Sequence, residues 1–260
     1  MNEVNKTLYI PLYGKALVFR RGIILHDPTA EEIWEKEGFP LKGKSKSKWL
    51  ALYMAMRSAV FDRWLKQQMD GDNNAVILHI GCGMDSRILR VENQNHLWYD
   101  VDFPEVIEQR KLHYGDIPGY TMVASDARDP AWLEYVPSDR NAIVVMEGIS
   151  MYMDPEELTA VLSNLKQRFA KVRLLMDCYT SVAAKASKYR NPINDVGVTT
   201  VYGLDDPKAL EASGLSFLAE HRLTPDDMIE ALHGMEKWIF RKLYAGSIAQ
   251  AMYRLYEFQS

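Results

Sequence analysis

The spacing of apolar side chains changes character twice along this chain. In the first third it is helical. Asp27-Pro28 predicts a helix start, with Asp27 as the cap, Pro28 at the first position and Glu31 and Glu32 in the first turn. After a looser stretch from Gly38 to Lys48, Trp49, Leu50, Tyr53, Met54, Val60, Phe61, Trp64 and Leu65 recur at helical spacing over residues 49–69. Asp70-Gly71-Asp72-Asn73-Asn74 ends that helix.

In the middle, short apolar runs alternate with helical segments. Strands are predicted at Val76–Ile80, Leu97–Val101, Tyr120–Ala124, Ala142–Met146 and Val172–Met176. Helices fit between them, roughly at 84–91, 104–113, 130–135 and 155–169. Alternation of this kind predicts a parallel, doubly wound sheet. Most of the runs are continuously apolar, as expected when both faces of a sheet are covered.

Beyond Tyr179 the pattern weakens. An amphipathic piece and the loop Asn191-Pro192-Ile193-Asn194-Asp195 occupy 181–200. A helix is expected near 205–213, a strand near 215–221 and a helix start at Thr224-Pro225-Asp226-Asp227. Ala251 to Phe258 reads as a last strand, pairing antiparallel at the sheet edge. The expected architecture is one α/β domain over 1–260, a doubly wound, mostly parallel sheet with an antiparallel edge strand. Residues 1–72 form a helical cap, 73–180 the ligand-binding core, and 181–260 the acceptor region with the last strands.

Composition narrows the class. The 260 residues, 47% of them hydrophobic, suffice for a substantial core. A net charge of -4 with only one short basic tract, Lys42 to Lys48, argues against nucleic acid as a partner. No apolar run has the length of a membrane span, and Met1 to Lys6 lacks the form of a signal peptide. The expectation is a soluble, cytoplasmic protein with no membrane partner. Cys82 and Cys178 form neither a disulfide framework nor a metal-binding pattern, so no metal is expected.

Chemistry centres on Gly81-Cys82-Gly83-Met84-Asp85-Ser86-Arg87, a glycine turn directly after the first strand. Its third position is Ser86 where a dinucleotide fingerprint has glycine. Asp102 ends the second strand, about 20 residues on, where an acid can accept both ribose hydroxyls. Asp126 follows the third strand and Glu147 the fourth. In an open α/β sheet these strand ends face one crevice. Three carboxylates repel pyrophosphate but suit hydroxyls, amino groups and positive charge. S-adenosylmethionine fits, and its one carboxylate needs a cation: Arg57, Lys15, Arg87 or Arg90. Singly, each strand-end acid reads equally as a helix cap or solvated loop residue. Two alternatives stay open: a nicotinamide-dependent oxidoreductase, disfavoured by the missing glycine and by Asp126 and Glu147, and a non-catalytic binding module.

The sequence resembles the leucine carboxyl methyltransferase family, which includes O-methyltransferases of polyketide-type pathways among the class I S-adenosylmethionine-dependent methyltransferases. The resemblance spans about residues 7–180. It is carried by His26-Asp27-Pro28, Met56-Arg57 with Phe61-Asp62, the glycine turn, Tyr99-Asp100-Val101-Asp102-Phe103-Pro104, Ser125-Asp126 and Glu147-Gly148-Ile149-Ser150-Met151-Tyr152. It implies a Rossmann-like fold and O-methylation of a carboxylate or hydroxyl on a small molecule. Gly81 and Gly83 would admit the methionine part of the cofactor, and Asp102 would bind its ribose. Asp126, with the Ala127 N–H, would face adenine. Glu147 would bind the α-ammonium, and Arg57, assisted by Lys15, the carboxylate.

The acceptor side is less marked. Tyr152 and Tyr179 are its catalytic candidates; His113 and Arg128 are further ones, and Tyr189, Arg190 and Asn191 suit a lid. Tyrosines at a core edge equally serve packing. Cys82 and Cys178 read as small buried residues, His79 as a core side chain. The helix at 49–64 is core, lid or pocket wall.

Overall fold

The computed structural model describes residues 8–37, 41, 43–93, 96–190 and 200–260. The 191–195 loop, Asn191 and the start of the chain lie outside the described residues, as do the side chains of Tyr189 and Arg190.

Five parallel strands are laid down as the apolar runs predict: β1 (Val76–Ile80), β2 (Trp98–Asp102), β3 (Tyr120–Ala124), β4 (Ala142–Met146) and β5 (Val172–Tyr179). The order across the sheet is β3-β2-β1-β4-β5, followed by β7 (Tyr253–Gln259) and β6 (Ser216–His221). The chain moves one way from β1 to β2 and β3, then returns to place β4 on the other side of β1. The switch point, where such sheets bind ligands, is therefore the carboxyl end of β1, and the glycine turn stands there.

Each strand divides its side chains between two cores at a period of two. Ile77, Val145, Leu175 and Leu255 face helices α1 (Tyr9–Arg20) and α3 (Lys48–Gly71), packing with Val18, Leu52, Met56 and Phe61. Leu78, Val144, Leu174 and Phe258 face α6 (Pro155–Arg168), packing with Leu158, Val161, Leu162 and Leu165. That helix starts with a full capping box of Asp154 and Glu157, an arrangement with a stabilising effect of about 1 kcal/mol. On the first face, α2 (Pro28–Glu37) is capped by Asp27, whose carboxylate accepts from the Ala30 N–H at 2.9 Å.

The last strand departs from the sequence reading. β7 pairs antiparallel with β5, as expected, but it does not form the edge. It sits one place inside, with β6 paired antiparallel on its outer side. Its composition explains the position: Tyr253, Leu255, Tyr256, Glu257 and Phe258 are all buried, whereas β6 alternates exposed and half-buried residues. The expected helices at 130–135 and 205–213 are 3-10 turns, and α4 is only Arg87–Arg90. The remaining helices are α5 (Pro104–Lys111), α7 (Ser181–Arg190), α8 (Asp226–Glu230), α9 (Gly234–Leu243) and α10 (Ser247–Gln250). Among the described residues no helix is long and apolar enough to cross a membrane.

Candidate active site

At the switch point lies a cavity of about 750 Å³. Lys15, Arg57, Gly81, Gly83, Asp102, Asp126, Ala127, Glu147, Tyr152 and Tyr179 all line it. The topology thus brings together the cofactor residues expected from the sequence and the two tyrosine candidates, from separate segments of the chain.

The turn is shaped by its glycines and held from outside. Gly81 and Gly83 have φ of +72° and +51°, the left-handed region, and a Cβ on Gly81 would overlap the Ile149 side chain. Asp102 Oδ2 accepts from the Gly83 N–H at 2.7 Å, and Oδ1 from the Phe103 N–H at 2.8 Å. Each oxygen keeps a lone pair, so both can receive a vicinal diol. Burial pushes this carboxyl up, against the pull of those two N–H groups. From behind, Arg110 Nη1 donates to the carbonyls of Gly83 and Asp85, each at 2.8 Å. Arg110 in turn pairs with buried Asp100, which Tyr120 and Trp98 also hydrogen-bond. Although burial alone would raise it, the Arg110 guanidinium holds the Asp100 carboxyl down at about 2.

The first-turn residues Asp85, Ser86, Arg87 and Arg90 serve the scaffold. Arg90 spans Asp62 (Nε, 2.7 Å), Asp85 (2.8 Å) and Asp27 (2.7 Å), while Ser86 Oγ donates to Asp27 at 2.5 Å. Arg87 donates from Nε to Asp62 at 2.7 Å, pairs with Glu147 through Nη2, and lies 3.0 Å from His79 Nε2. These bonds tie α2 and α3 to the glycine turn. As carboxylate ligands Arg87 and Arg90 are therefore corrected: Arg87 is buried and Arg90 half-buried, both held in ion pairs, and neither lines the cavity. His79 is buried as expected, but as a polar link between Arg87 and Asp100 (Nδ1 to Oδ1, 3.2 Å). An arginine N–H facing Nε2 requires that nitrogen to accept, which leaves the proton on Nδ1 toward Asp100.

Lys15 and Arg57 do reach the cavity near the glycine turn. Lys15 Nζ lies 3.0 Å from Asp85 Oδ2. Arg57 donates from Nε to Glu147 Oε1 at 3.0 Å and from Nη1 toward Asp177 Oδ2 at 2.9 Å. Glu147 also accepts from Ser58 Oγ at 2.7 Å. Burial would raise this carboxyl, but Arg87 and Arg57 bring it down to about 2. Among the described charged side chains that line the cavity, the acids Asp85, Asp102, Asp126 and Glu147 outnumber the bases Lys15, Arg57 and Arg128. Such a wall suits a ligand with one carboxylate and a surplus of positive charge. With Asp102 beside it, whose two oxygens can each accept a further bond, the residue set fits S-adenosylmethionine.

Asp126 lines the cavity, but Arg128 holds its carboxylate at 2.6 Å (Nη2) and 2.9 Å (Nε), and also reaches Glu157 at 2.9 Å. Arg128 is thereby placed beside Asp126, at the opposite end from the acceptor side for which it was a candidate. His113 is removed as well: it pairs with Glu37 at 3.1 Å and does not line the cavity. Cys82 does line it, yet burial pushes its thiol well up, and burial likewise takes Cys178 to about 12, so neither is an activated nucleophile.

The other end of the cavity is apolar and aromatic: Leu50, Tyr53, Met54, Tyr244, Met252 and Tyr253 stand there with Tyr179. Tyr179 and Tyr53 flank the Tyr253 ring, with centroids 5.1 and 6.3 Å away. Asp177, Tyr244 and Tyr253 escaped the sequence reading. Asp177 sits inside an apolar strand run, two positions before Tyr179. The tyrosines come from segments far along the chain with no motif around them. The buried parity of β7 was the one available signal for Tyr253.

The comparisons with known proteins agree with this chemistry. The model of the leucine carboxyl methyltransferase family matches residues 5–166. The tetracenomycin polyketide synthesis O-methyltransferase TcmP of Streptomyces glaucescens is 28% identical over 243 residues, 92% of this chain and 90% of that protein. The S-adenosyl-L-methionine-dependent methyltransferase dpfgK of Gibberella zeae is 30% identical over 184 residues, 65% of this chain and 61% of that one. Among solved structures, magnesium protoporphyrin IX methyltransferase from Synechocystis PCC 6803, with bound SAH, matches with a TM-score of 0.52 at 15% identity. The match covers 95% of this chain and 99% of that one. A DUF574 family protein from Streptomyces avermitilis matches at 0.58 with 13% identity, covering 95% of each chain. These two likenesses establish the shared fold. Neither the oxidoreductase nor the binding-module alternative is favoured by these matches. The chain belongs to the leucine carboxyl methyltransferase family and is an S-adenosylmethionine-dependent methyltransferase.

Proposed function

We propose that this enzyme methylates an oxygen atom of a small, apolar, aromatic acceptor that carries its own negative charge, such as a carboxylate or an acidic hydroxyl. One observation carries the reading. Among the described residues, the lining at the acceptor end includes no Asp, Glu or His to take a proton. Tyr53, Tyr244 and Tyr253 there are poor bases, because burial raises them above the ordinary phenol value and keeps them protonated. An acceptor already ionised near neutral pH needs no base. The apolar, aromatic lining suits a flat hydrophobic body. A relative named as a polyketide synthesis O-methyltransferase supports the same class.

The cavity wall supports the following residue roles. Arg57 and Lys15 hold the cofactor carboxylate, Glu147 the ammonium, and Asp102 the ribose hydroxyls, with Ser125, Asp126 and Ala127 along the adenine. When bound, the cofactor supplies an electrophilic methyl group on a sulfonium. The protein contributes alignment of acceptor oxygen and methyl carbon and the exclusion of water. A volume of about 750 Å³ lies in the upper part of the usual range for ligand sites, roughly 300–1,000 Å³, as a cofactor plus a small acceptor requires. The two buried free thiols agree with a reducing, cytoplasmic setting.

The test is methyl transfer from methyl-labelled S-adenosylmethionine to 2-naphthoic acid and to 2-naphthol, followed by mild alkali. Label released as methanol marks an ester, and label retained marks an ether. Transfer to 2-naphthylamine with none to either oxygen acceptor would refute oxygen as the target.

A further inference from the structure

Tyr253 belongs to both ends of the cavity. Its hydroxyl accepts from Arg57 Nη1 at 2.7 Å and donates to Asp177 Oδ2 at 2.7 Å. Its ring forms part of the aromatic acceptor wall, with Tyr53 and Tyr179 beside it. The side chain is buried, and burial keeps its hydroxyl protonated, so it can donate to the carboxylate. Asp177 is itself fixed from the far side: its Oδ1 accepts from the Gly148 N–H at 2.7 Å. Gly148 has φ of +78°, and a Cβ there would stand 3.4 Å from Arg57 Nη2. The guanidinium is thus set in plane by Glu147 at Nε, by Asp177 and Tyr253 at Nη1, and by the bare Gly148 backbone beside Nη2.

We propose that Tyr253, delivered by the inner antiparallel strand β7, is a positioning residue that orients Arg57 toward the carboxylate of the cofactor's amino-acid part while its ring shapes the acceptor wall. This rests on Arg57 being the carboxylate ligand. The reasoning is geometric. A free arginine side chain has many rotamers, and a bidentate carboxylate contact needs one plane. Asp177 alone would hold Nη1 at a point; the hydroxyl adds a second acceptor and closes a triangle of Nη1, Oη and Oδ2 with edges of 2.7, 2.7 and 2.9 Å. The register places this group at the carboxyl end of β5, where Tyr179 pairs with Tyr253 and Asp177 with Leu255. A strand inserted from the chain's last residues is thereby built into the cofactor site.

The experiment compares two ligands by calorimetric titration. S-adenosylhomocysteine carries the amino-acid part; 5′-methylthioadenosine keeps the nucleoside and sulfur but lacks it. For Tyr253→Phe, which retains the ring, we expect about tenfold weaker S-adenosylhomocysteine binding, the effect of one lost bond to a charged group. Binding of 5′-methylthioadenosine should stay within about twofold. Equal weakening of both ligands would mean a merely structural role and would overturn the proposal, as would wild-type binding of both. Arg57→Lys and Arg57→Met separate the underlying assignment. If they weaken S-adenosylhomocysteine alone while Tyr253→Phe does nothing, only the positioning role fails. If they leave S-adenosylhomocysteine untouched, Arg57 is not the carboxylate ligand. Should Arg57→Met not fold, Arg57→Lys keeps the charge and carries the comparison.

Discussion

The two ends of the cavity are built by different means. The cofactor end comes largely from the ends of β1 to β4: Asp102 closes β2, Glu147 follows β4 directly and Asp126 lies two residues past β3. Its carboxylates and guanidiniums are interlocked, so the wall is rigid and charged before any ligand arrives. The acceptor end comes from α3, α7, α9, α10 and β7, segments far apart in the chain. It is largely apolar and aromatic, and Tyr253 ties it to the charged network through its hydroxyl. Charge networks leave few permissible geometries, because an unpaired buried ion is costly. Apolar walls tolerate exchange of shape at modest cost. One family can thus keep a cofactor and change its acceptors.

That contrast can be broken most severely at Gly81. Gly81→Ala puts a side chain at φ +72° and into Ile149. Strain of about 1–3 kcal/mol and overpacking of about 1–3 kcal/mol should appear together as lost stability and lost S-adenosylhomocysteine affinity, read by urea unfolding and calorimetry.

Glu147→Gln comes next. It leaves Arg57 and Arg87 short of a buried carboxylate, and urea unfolding at neutral pH should show a loss of about 3–5 kcal/mol. The pH dependence of that loss follows in sign. The folded value of about 2 lies below the ordinary 4.5. The contribution is therefore complete above about pH 5 and disappears as pH falls toward about 2. Wild type and Glu147→Gln should converge in stability over that window, and a constant gap would show that the Glu147 charge does not matter.

Asp102→Ala removes the carboxylate offered to the ribose, and cofactor affinity should fall by about 2–4 kcal/mol, two bonds to a charged group. Retained affinity in calorimetry would remove Asp102 from the ribose site. The smallest effect is expected at the acceptor end. Tyr244→Leu should change acceptor KM by about tenfold or less, one packing contact of roughly 1 kcal/mol, with S-adenosylhomocysteine affinity constant. A shift in both would mean that the two ends are not separable there.

Much of the cofactor end was legible because its elements are local. Gly81, Gly83, Asp102, Asp126 and Glu147 each follow an apolar run, and the doubly wound connection rule puts such positions on one rim. Arg87 and Arg90 show the limit of that reading. They stand nearest the turn in sequence, yet α4 points them into Asp62 and Asp27, while Arg57, from the middle of α3, reaches the cavity. Proximity in sequence did not predict which cation faces the ligand, because that depends on how α3 crosses the sheet. Asp126 teaches the same lesson: it lies on the expected rim, but Arg128, two residues on, takes its carboxylate.

By itself, then, the sequence determined the five parallel strands, the switch-point turn and the acids along its rim, because period and glycine placement act within a few residues. Tertiary structure alone decided three further things: that β7 enters inside β6, that Tyr253 and Asp177 clasp Arg57, and that tyrosines from opposite ends of the chain share one wall. Those are contacts between distant segments, chosen by burial and ion pairing once the sheet exists, and apart from the apolar composition of β7 no local pattern records them.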